Sequence, residues 1–228
     1  MKQIKVLSLG GSLIAPEKID TKFLKSFRDT IQKNTDKFKF IVVCGGGTTA
    51  RKYISALEQL GSDEKSQGFI GISATRMNAR FMSYIFGIDP EQGIPHKIKE
   101  IKKYLKKQEV VFCGALEYGI DETSDSTSVK VAEHFNAEFV NLTDVLGLYE
   151  KNPKKFRNAK LIPKISWQGL CDMANQLEFK PGQHFVIDQT ASKMILEKKI
   201  TTYIIGKDMQ QLDNLLNGKG FRGTIVKD

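Results

Sequence analysis

The feature that most constrains this chain is an apolar run that ends in three consecutive glycines. Residues 41–44 read Ile-Val-Val-Cys, Gly45, Gly46 and Gly47 follow, and the next residues have the apolar spacing of a helix. A strand that turns into a helix through glycines directs backbone N–H groups and the positive end of the helix dipole at one point, which suits a phosphate. Arg51, about one turn into the helix, is placed to bind the same anion. The pattern predicts a phosphate site, the alternative being a tight strand-to-helix turn without a ligand.

The chain repeats this arrangement near its start, where an apolar run at 4–9 ends in Gly10, Gly11 and Ser12. Apolar runs and helical spacing then alternate, which predicts an α/β fold around a mainly parallel sheet. Residues 61–68 read as a polar loop, and Asp125 or Ser126 as the cap of a helix that continues to Phe135. We expect strands at 4–9, 38–44, 110–113, 139–142, 202–205 and 224–226, and further helices at 21–33, 48–60, 69–86, 97–107, 166–175, 189–198 and 208–216.

Several common catalytic signatures are missing from the sequence. It contains no Gly-x-x-x-x-Gly-Lys-Ser/Thr motif and no Gly-x-Gly-x-x-Gly motif, so neither a P-loop protein nor a classical dinucleotide fold is expected. No Ser/His/Asp arrangement with a nucleophile elbow occurs. What remains is a set of strand ends that carry glycines or polar residues, namely 10–12, 45–47, 114–115 and 143–144. Because ligands of open α/β sheets bind at the carboxyl ends of the strands, two glycine-rich ends together predict phosphoryl transfer.

Composition limits the partners and the compartment. The net charge of +9 and pI of about 9.3 favour an anionic ligand. The lysines at 97–107 lie opposite an apolar stripe and read as a solvated helix face, so a nucleic-acid partner is the weaker alternative. Cys44, Cys113 and Cys171 have no metal-ligand spacing, and Cys44 and Cys113 read as small buried residues. No apolar run is long enough for a membrane span, and we expect a cytoplasmic protein with no membrane partner.

Five short motifs follow one another along the chain at 7–12, 45–54, 70–79, 143–149 and 186–193. Together and in this order they resemble the amino acid kinase superfamily and, within it, the archaeal type of uridylate (UMP) kinase. The resemblance covers nearly the whole chain, and it implies a three-layer α/β/α sandwich around a mainly parallel sheet. It divides this single domain into an N-terminal acceptor lobe of about residues 1–125 and a C-terminal ATP lobe of about residues 126–228.

The resemblance also implies roles for individual residues. Four match positions that contact the ATP phosphates: Gly11, Ser12, Gly47 and Arg51. Four match the nucleotide-binding part of the second lobe: Thr143, Asp144, Tyr149 and Asn152. Acceptor binding is implied for Gly46, Gly68, Thr123 and Ser124. Catalytic roles are implied for Arg51, Asp144, Asp188 and Lys193, although Asp188 also reads as a helix cap and Lys193 as a surface lysine.

The sequence departs from the family pattern at three places. Ser8 stands where most of the superfamily has a lysine that meets the phosphates. Gly68 stands where uridylate kinases have an Asp that holds the acceptor ribose, and the acceptor loop at 116–122 looks about two residues longer than the family's. In addition, Asp144 followed by Val145 and Gly147 looks more like relatives that phosphorylate carboxylates.

The resemblance therefore implies an ATP- and Mg²⁺-dependent kinase that acts on a nucleoside monophosphate, and we expect this acceptor to be UMP. A first alternative is a kinase of the same fold that acts on a carboxylate or another phosphate. A second alternative, suggested by Ser8 and Gly68, is a non-catalytic protein that binds nucleotides or anions. The resemblance implies a homo-oligomer, either a dimer or a hexamer, with small-molecule nucleotide substrates and no stable nucleic-acid partner.

Overall fold

The computed structural model describes residues 2–88, 93–119, 123–176 and 186–228. This part of the chain forms seven strands: β1 Gln3–Leu9, β2 Phe38–Cys44, β3 Val110–Cys113, β4 Glu138–Leu142, β5 Lys164–Ile165, β6 Thr202–Ile205 and β7 Thr224–Val226. It also forms nine helices: α1 Gly11–Ile14, α2 Thr21–Lys33, α3 Gly47–Gln59, α4 Glu64–Ile85, α5 Ile98–Tyr104, α6 Ser124–His134, α7 Trp167–Asn175, α8 Gln189–Lys198 and α9 Met209–Leu216.

The strands form one sheet in the order β3-β2-β1-β4-β6-β7-β5, and only the β6–β7 pair is antiparallel. The prediction of a mainly parallel α/β sheet is confirmed. The central strands are largely apolar and are buried on both faces, as is typical of parallel strands covered by helices. The last five residues of β1 and of β2 are all buried.

Helices cover both faces of this sheet and make the predicted three layers. Right-handed crossovers place the connections from β1 to β2 and from β2 to β3 on one face, and the connection from β3 back to β4 on the other. The helix contacts agree, since α2 packs with α4 and α9, whereas α6 packs with α8 and α8 with α7.

The strand register places four strand ends side by side. Leu9 at the end of β1 pairs with Cys44 at the end of β2 and with Leu142 at the end of β4. Leu142 in turn pairs with Ile205, the last residue of β6. Everything that follows these strands therefore begins at the same edge of the sheet.

The structure corrects two sequence expectations. Residues 61–68 are not a polar loop throughout, because α4 already begins at Glu64, where the Asp63 carboxylate accepts a hydrogen bond from the Ser66 N–H at 2.8 Å. Helix α6 is capped by Thr123 rather than by Asp125 or Ser126. The strand β5 and the short helix α1 had no sequence signal. Residues 87–95 contain two prolines and two glycines and read as a surface loop, of which residues 89–92 lie outside the described residues. Residues 120–122 of the acceptor loop expected at 116–122 also lie outside them.

Candidate active site

Two glycine-rich turns touch each other at the carboxyl edge of the sheet. Gly11 follows β1, and Gly45 to Gly47 follow β2. A Cβ atom on Gly11 would lie 2.5 Å from Gly47 Cα, and one on Gly47 would lie 2.8 Å from the Gly11 carbonyl carbon. Gly47 also has φ +64°, in the left-handed region that favours glycine. Backbone packs directly on backbone here, so these turns form a cradle at the N-terminus of α3 that no side chain fills.

Helix α4 holds the cradle from the side. The buried Asn78 amide donates a hydrogen bond to the Gly45 carbonyl at 2.7 Å. One turn earlier, the Thr75 hydroxyl accepts the Ala115 N–H at 2.9 Å. The Arg76 guanidinium donates to the carbonyls of Ala115, at 3.2 Å, and of Leu116, at 2.8 Å. One helix face therefore fixes both the triple-glycine turn and the start of the loop after β3.

A cavity of about 870 Å³ opens beside the cradle. Its floor is formed by the ends of β1, β2 and β4, and its far wall by the irregular segment 143–156. The structure brings together eleven of the residues that the sequence singled out. These lining residues are Gly11, Ser12, Gly46, Gly47, Arg51, Thr123, Ser124, Thr143, Asp144, Tyr149 and Asn152.

Asp125, which lines the cavity, forms with Asp188 a carboxylate pair that links three distant segments. The Ser8 hydroxyl, buried at the end of β1, donates a hydrogen bond to Asp125 Oδ1 at 2.9 Å. The Thr123 hydroxyl donates to Asp188 Oδ2. The other Asp188 oxygen accepts the Ala191 N–H at 2.8 Å, so Asp188 caps α8, as the sequence indicated. Two carboxylates thus meet where the sequence has a serine in place of the superfamily's lysine.

The environment of this pair favours the neutral form of a carboxyl group. Burial raises the pKa of Asp125 to about 7, and the nearby Asp188 carboxylate adds to the rise, while the hydrogen bond from Ser8 opposes it. Burial also raises the pKa of Asp188, against the hydrogen bonds from Thr123 and Ala191. Because two adjacent carboxylates do not both ionise readily, the pair holds a proton near neutral pH unless a cation approaches.

The opposite wall of the cavity is basic. Lys154 makes an ion pair with Asp144, and its backbone N–H donates to the Asn152 side chain at 2.9 Å. Asp144 therefore pairs with a lysine of the same wall. Lys151 and Lys155 also line this wall, and the Lys151 ammonium lies 5.2 Å from the centre of the Phe156 ring. These cations suit an anion that enters between this wall and the cradle.

Three residues that the sequence singled out lie outside the cavity lining. Asp188 lies behind Thr123, as described above. Lys193 is exposed on α8, one turn after the Asp188 cap. Gly68 lies in the second turn of α4, against the loop that follows β3.

Sequence reasoning missed three residues that this geometry emphasises. Asp125 appeared only as one of two possible helix caps and Asn78 only within a short motif, while Lys154 was not singled out at all. The partners of Asp125 and Asn78 lie 117 and 33 residues away in sequence, so no local pattern reveals these contacts. An acidic residue in the first turn of a helix that starts beside a glycine cradle was the one available signal for Asp125.

No helix in the described ranges is long and apolar enough to cross a membrane. Nor do those residues contain a group of three or more His, Cys, Asp or Glu side chains arranged to hold a metal ion.

Comparison with known proteins gives matches over nearly the whole chain. The model of the amino acid kinase family matches residues 3–206. The uridylate kinase of Thermococcus kodakarensis is 34% identical over 227 residues, which is 97% of this chain and 98% of that protein. The uridylate kinase of Thermoplasma volcanium is 33% identical over 231 residues, with 100% and 99% coverage.

Solved structures agree with these sequence matches. The crystal structure of uridylate kinase from Archaeoglobus fulgidus superposes with a TM-score of 0.84 at 32% identity, over 99% of this chain and 100% of that one. The UMP kinase of Ureaplasma parvum superposes with a TM-score of 0.77 over the full length of both chains. Its identity of 22% supports the shared fold alone.

Proposed function

The chain belongs to the amino acid kinase family, and we propose that it transfers the γ-phosphoryl group of ATP to a nucleoside monophosphate, converting UMP to UDP. The observation that carries the proposal is the cradle formed by Gly11 and Gly47 at the N-terminus of α3. Such a site binds phosphate through backbone N–H groups and the helix dipole. The names and full-length similarity of the uridylate kinases support UMP as the acceptor.

In this proposal the two nucleotides approach the cradle from opposite sides. The acceptor occupies the N-terminal lobe, about residues 1–125, and the nucleoside part of ATP occupies the C-terminal lobe, about residues 126–228. The ATP phosphates bind Gly11, Ser12, Gly47 and Arg51, and the rest of ATP binds Thr143, Asp144, Tyr149 and Asn152. The acceptor phosphate binds near Gly46, Thr123 and Ser124.

Phosphoryl transfer between two phosphates needs positioning and charge compensation more than proton transfer. The acceptor phosphate is already largely ionised near neutral pH, because its second pKa is about 6, so no general base is needed. Arg51 and the N-terminus of α3 offset the negative charge on the transferred group. Lys193, on the helix α8 that Asp188 caps, supplies a further cation. Removal of one such contact typically lowers the rate on the order of 10²-fold.

We propose that three carboxylates, those of Asp125, Asp188 and Asp144, position the cations of the site. The Ser8 hydroxyl bonds one oxygen of Asp125, and the Thr123 hydroxyl bonds one oxygen of Asp188. Held in this way, the two carboxylates attract a cation to the cradle. Asp144 holds Lys154 on the opposite wall. A cation that approaches Asp125 displaces the proton held by the pair, because opposite charge lowers a carboxyl pKa.

The site also fits the Mg²⁺ ion that ATP brings with it. Asp125 and Asp188 offer carboxylate oxygens, which are the donors that Mg²⁺ prefers. Because the described residues contain no group of three acidic or other ligating side chains, the ion would take most of its ligands from phosphates and water. When bound, it neutralises charge on the phosphates.

The test is an ADP-release assay with a panel of acceptors, coupled to NADH oxidation. We expect turnover with UMP, less with CMP, and none with aspartate or acetylglutamate. Turnover with a carboxylate but not with UMP would instead support a kinase that phosphorylates carboxylates, the alternative that the Asp144-Val145 sequence suggests. If ATP raises the melting temperature and no acceptor yields ADP, the chain is a non-catalytic nucleotide binder.

We further propose that the protein forms a homo-oligomer through the outer face of α3 and α4. This face exposes large apolar side chains, with exposed fractions of 54% for Tyr53, 53% for Met77 and 61% for Tyr84. Exposed apolar patches on such a face are typical of association surfaces. Light scattering after size exclusion should give a dimer or hexamer for the wild type, and Met77→Lys should lower the mass. A monomeric wild type would contradict this proposal.

A further inference from the structure

Gly68 is a glycine in the interior of a helix, where glycine is less favourable than alanine. The structure gives the reason. A Cβ atom on Gly68 would lie 2.6 Å from Tyr118 Cδ2, and closer still to Cε2. The edge of the Tyr118 ring therefore occupies the space that any side chain at position 68 would need.

The Tyr118 ring also stacks on Phe69, the next residue of α4. The two ring centres are 5.3 Å apart and the planes differ by 27°. Tyr118 is half-buried, while Phe69 is 49% exposed. The two rings form an aromatic platform, defined as Tyr118 and Phe69, whose surface is open to a planar ligand.

The platform lies on the side of the cradle opposite the basic wall. Its loop is fixed to α4 by the bonds from Arg76 to the carbonyls of residues 115 and 116. Thr75, in the same turn as Arg76, packs against both Gly46 and Gly114. Seven residues, or about 10 Å of helix, separate Thr75 from Gly68. A mononucleotide with its phosphate at Gly46 and its nucleoside directed away from the ATP wall extends along this face of α4.

We propose that Tyr118 is a specificity-determining residue for the acceptor, and that its ring, backed by Phe69, packs against the nucleobase of the nucleoside monophosphate. The inference rests on the proposed function and adds to it how this chain, which has no side chain at position 68, recognises the nucleoside. Stacking of the nucleobase on the Tyr118 ring takes the place of the polar contact that a side chain at position 68 of α4 would make. Gly68 is required because the ring needs its space.

Isothermal titration with UMP and with ribose 5-phosphate, which has no base, tests the proposal without turnover. Tyr118→Ala should weaken UMP binding about tenfold, which corresponds to about 1.4 kcal/mol, within the range for base–aromatic stacking. Its affinity for ribose 5-phosphate should stay the same. Equal losses for both ligands would mean that the ring only holds the loop in place, and unchanged UMP affinity would remove Tyr118 from the site; either result overturns the proposal.

A glycine pair on α4 provides the matched control. Gly68→Ala inserts a methyl group against the ring and should also weaken UMP binding about tenfold. Gly71→Ala makes the same change one turn later, where the new Cβ would meet only the end of Ile54 at 3.2 Å, and should leave binding unchanged. In the Tyr118→Ala background, Gly68→Ala should not weaken UMP binding further, because both substitutions act through the Tyr118 ring. Additive losses of UMP affinity would contradict this shared cause.

These results separate the inference from the function on which it rests. If the wild type phosphorylates UMP and both Tyr118→Ala and Gly68→Ala bind UMP normally, the aromatic platform is wrong and the kinase stands. If no nucleoside monophosphate gives ADP, the kinase proposal is wrong. Binding of UMP in the titration then still decides whether Tyr118 contacts a nucleobase.

Discussion

Asp125→Asn is the sharpest perturbation of this molecule, because it separates the stability of the site from its activity. The substitution keeps the shape of the side chain and removes a charge beside Asp188. We expect the variant to be more stable than the wild type at pH 8 and less active by roughly 10²-fold, the usual cost of losing one charge contact in such a site.

The direction of the expected change in stability follows from the pKa of Asp125, which burial raises from 3.8 to about 7. Between these values the folded protein keeps a proton that the unfolded chain has lost, so wild-type stability falls as pH rises from about 4 to 7 and is constant above. The full difference corresponds to about 4 kcal/mol. Because Asp125 is partly accessible from the cavity, solvent screening reduces this energy. We expect Asp125→Asn to be more stable than the wild type by about 2 kcal/mol at pH 8. At pH 5 the variant should keep less than half of this stability advantage over the wild type.

Urea denaturation of both proteins at pH 5, 6.5 and 8 measures the effect. Asp63→Asn is the control with the opposite sign, because hydrogen bonds from Ser66 lower the pKa of the exposed Asp63 carboxylate at the start of α4. That variant should be less stable than the wild type by the same amount at pH 5, 6.5 and 8, because a carboxylate whose pKa is lowered from 3.8 loses its contribution to stability only at a pH below that value. If Asp125→Asn is destabilised equally at pH 5 and pH 8, Asp125 is held as an ion with a favourable partner and the reasoning is refuted.

The remaining predictions concern the cradle and its cations. Arg51→Ala should lower kcat/KM roughly 10²-fold in steady-state kinetics with no change in melting temperature, because among the described residues this exposed side chain bonds only to the Thr48 hydroxyl. Near-normal turnover would remove Arg51 from the site. Gly47→Ala should abolish ATP binding in titration, whereas Gly61→Ala, with a similar positive φ but open space around it, should retain it. Lys193→Met should lower kcat more than ATP affinity, if this lysine offsets charge that develops during transfer, and an unchanged kcat would leave it on the surface.

The elements of the fold were largely predictable from local sequence patterns. Strands β2 and β3 and the helix α2 have the predicted bounds, because each combines an unbroken apolar pattern with clear end signals. The glycine cradle was predictable for the same reason, since both turns follow buried strands. The start of α4 was not, because the polar residues at 64–67 carry no apolar stripe, and only the Asp63 cap marks the helix.

The contacts that organise the site were not predictable in the same way. The bond between Ser8 and Asp125 joins residues 117 apart, and the bond between Thr123 and Asp188 joins residues 65 apart. Such pairs form only when the sheet has brought β1, α6 and α8 together. The fit of Tyr118 onto Gly68 is likewise a property of two surfaces, visible in the sequence only as an unexplained glycine.

The serine at position 8 and the carboxylate pair are best understood together. A buried hydroxyl gives Asp125 one hydrogen bond but no positive charge, so the pair costs stability near neutral pH whenever no cation is present. Replacement of Asp125 by asparagine would remove this cost, which means that folding alone does not favour the carboxylate. Local conflicts of this kind are expected at functional sites. The conflict at Asp125 therefore indicates a residue that serves the binding of a cation and its phosphates, and Ser8→Lys, which would supply the missing charge, should stabilise the protein at pH 8 in the wild type and not in Asp125→Asn.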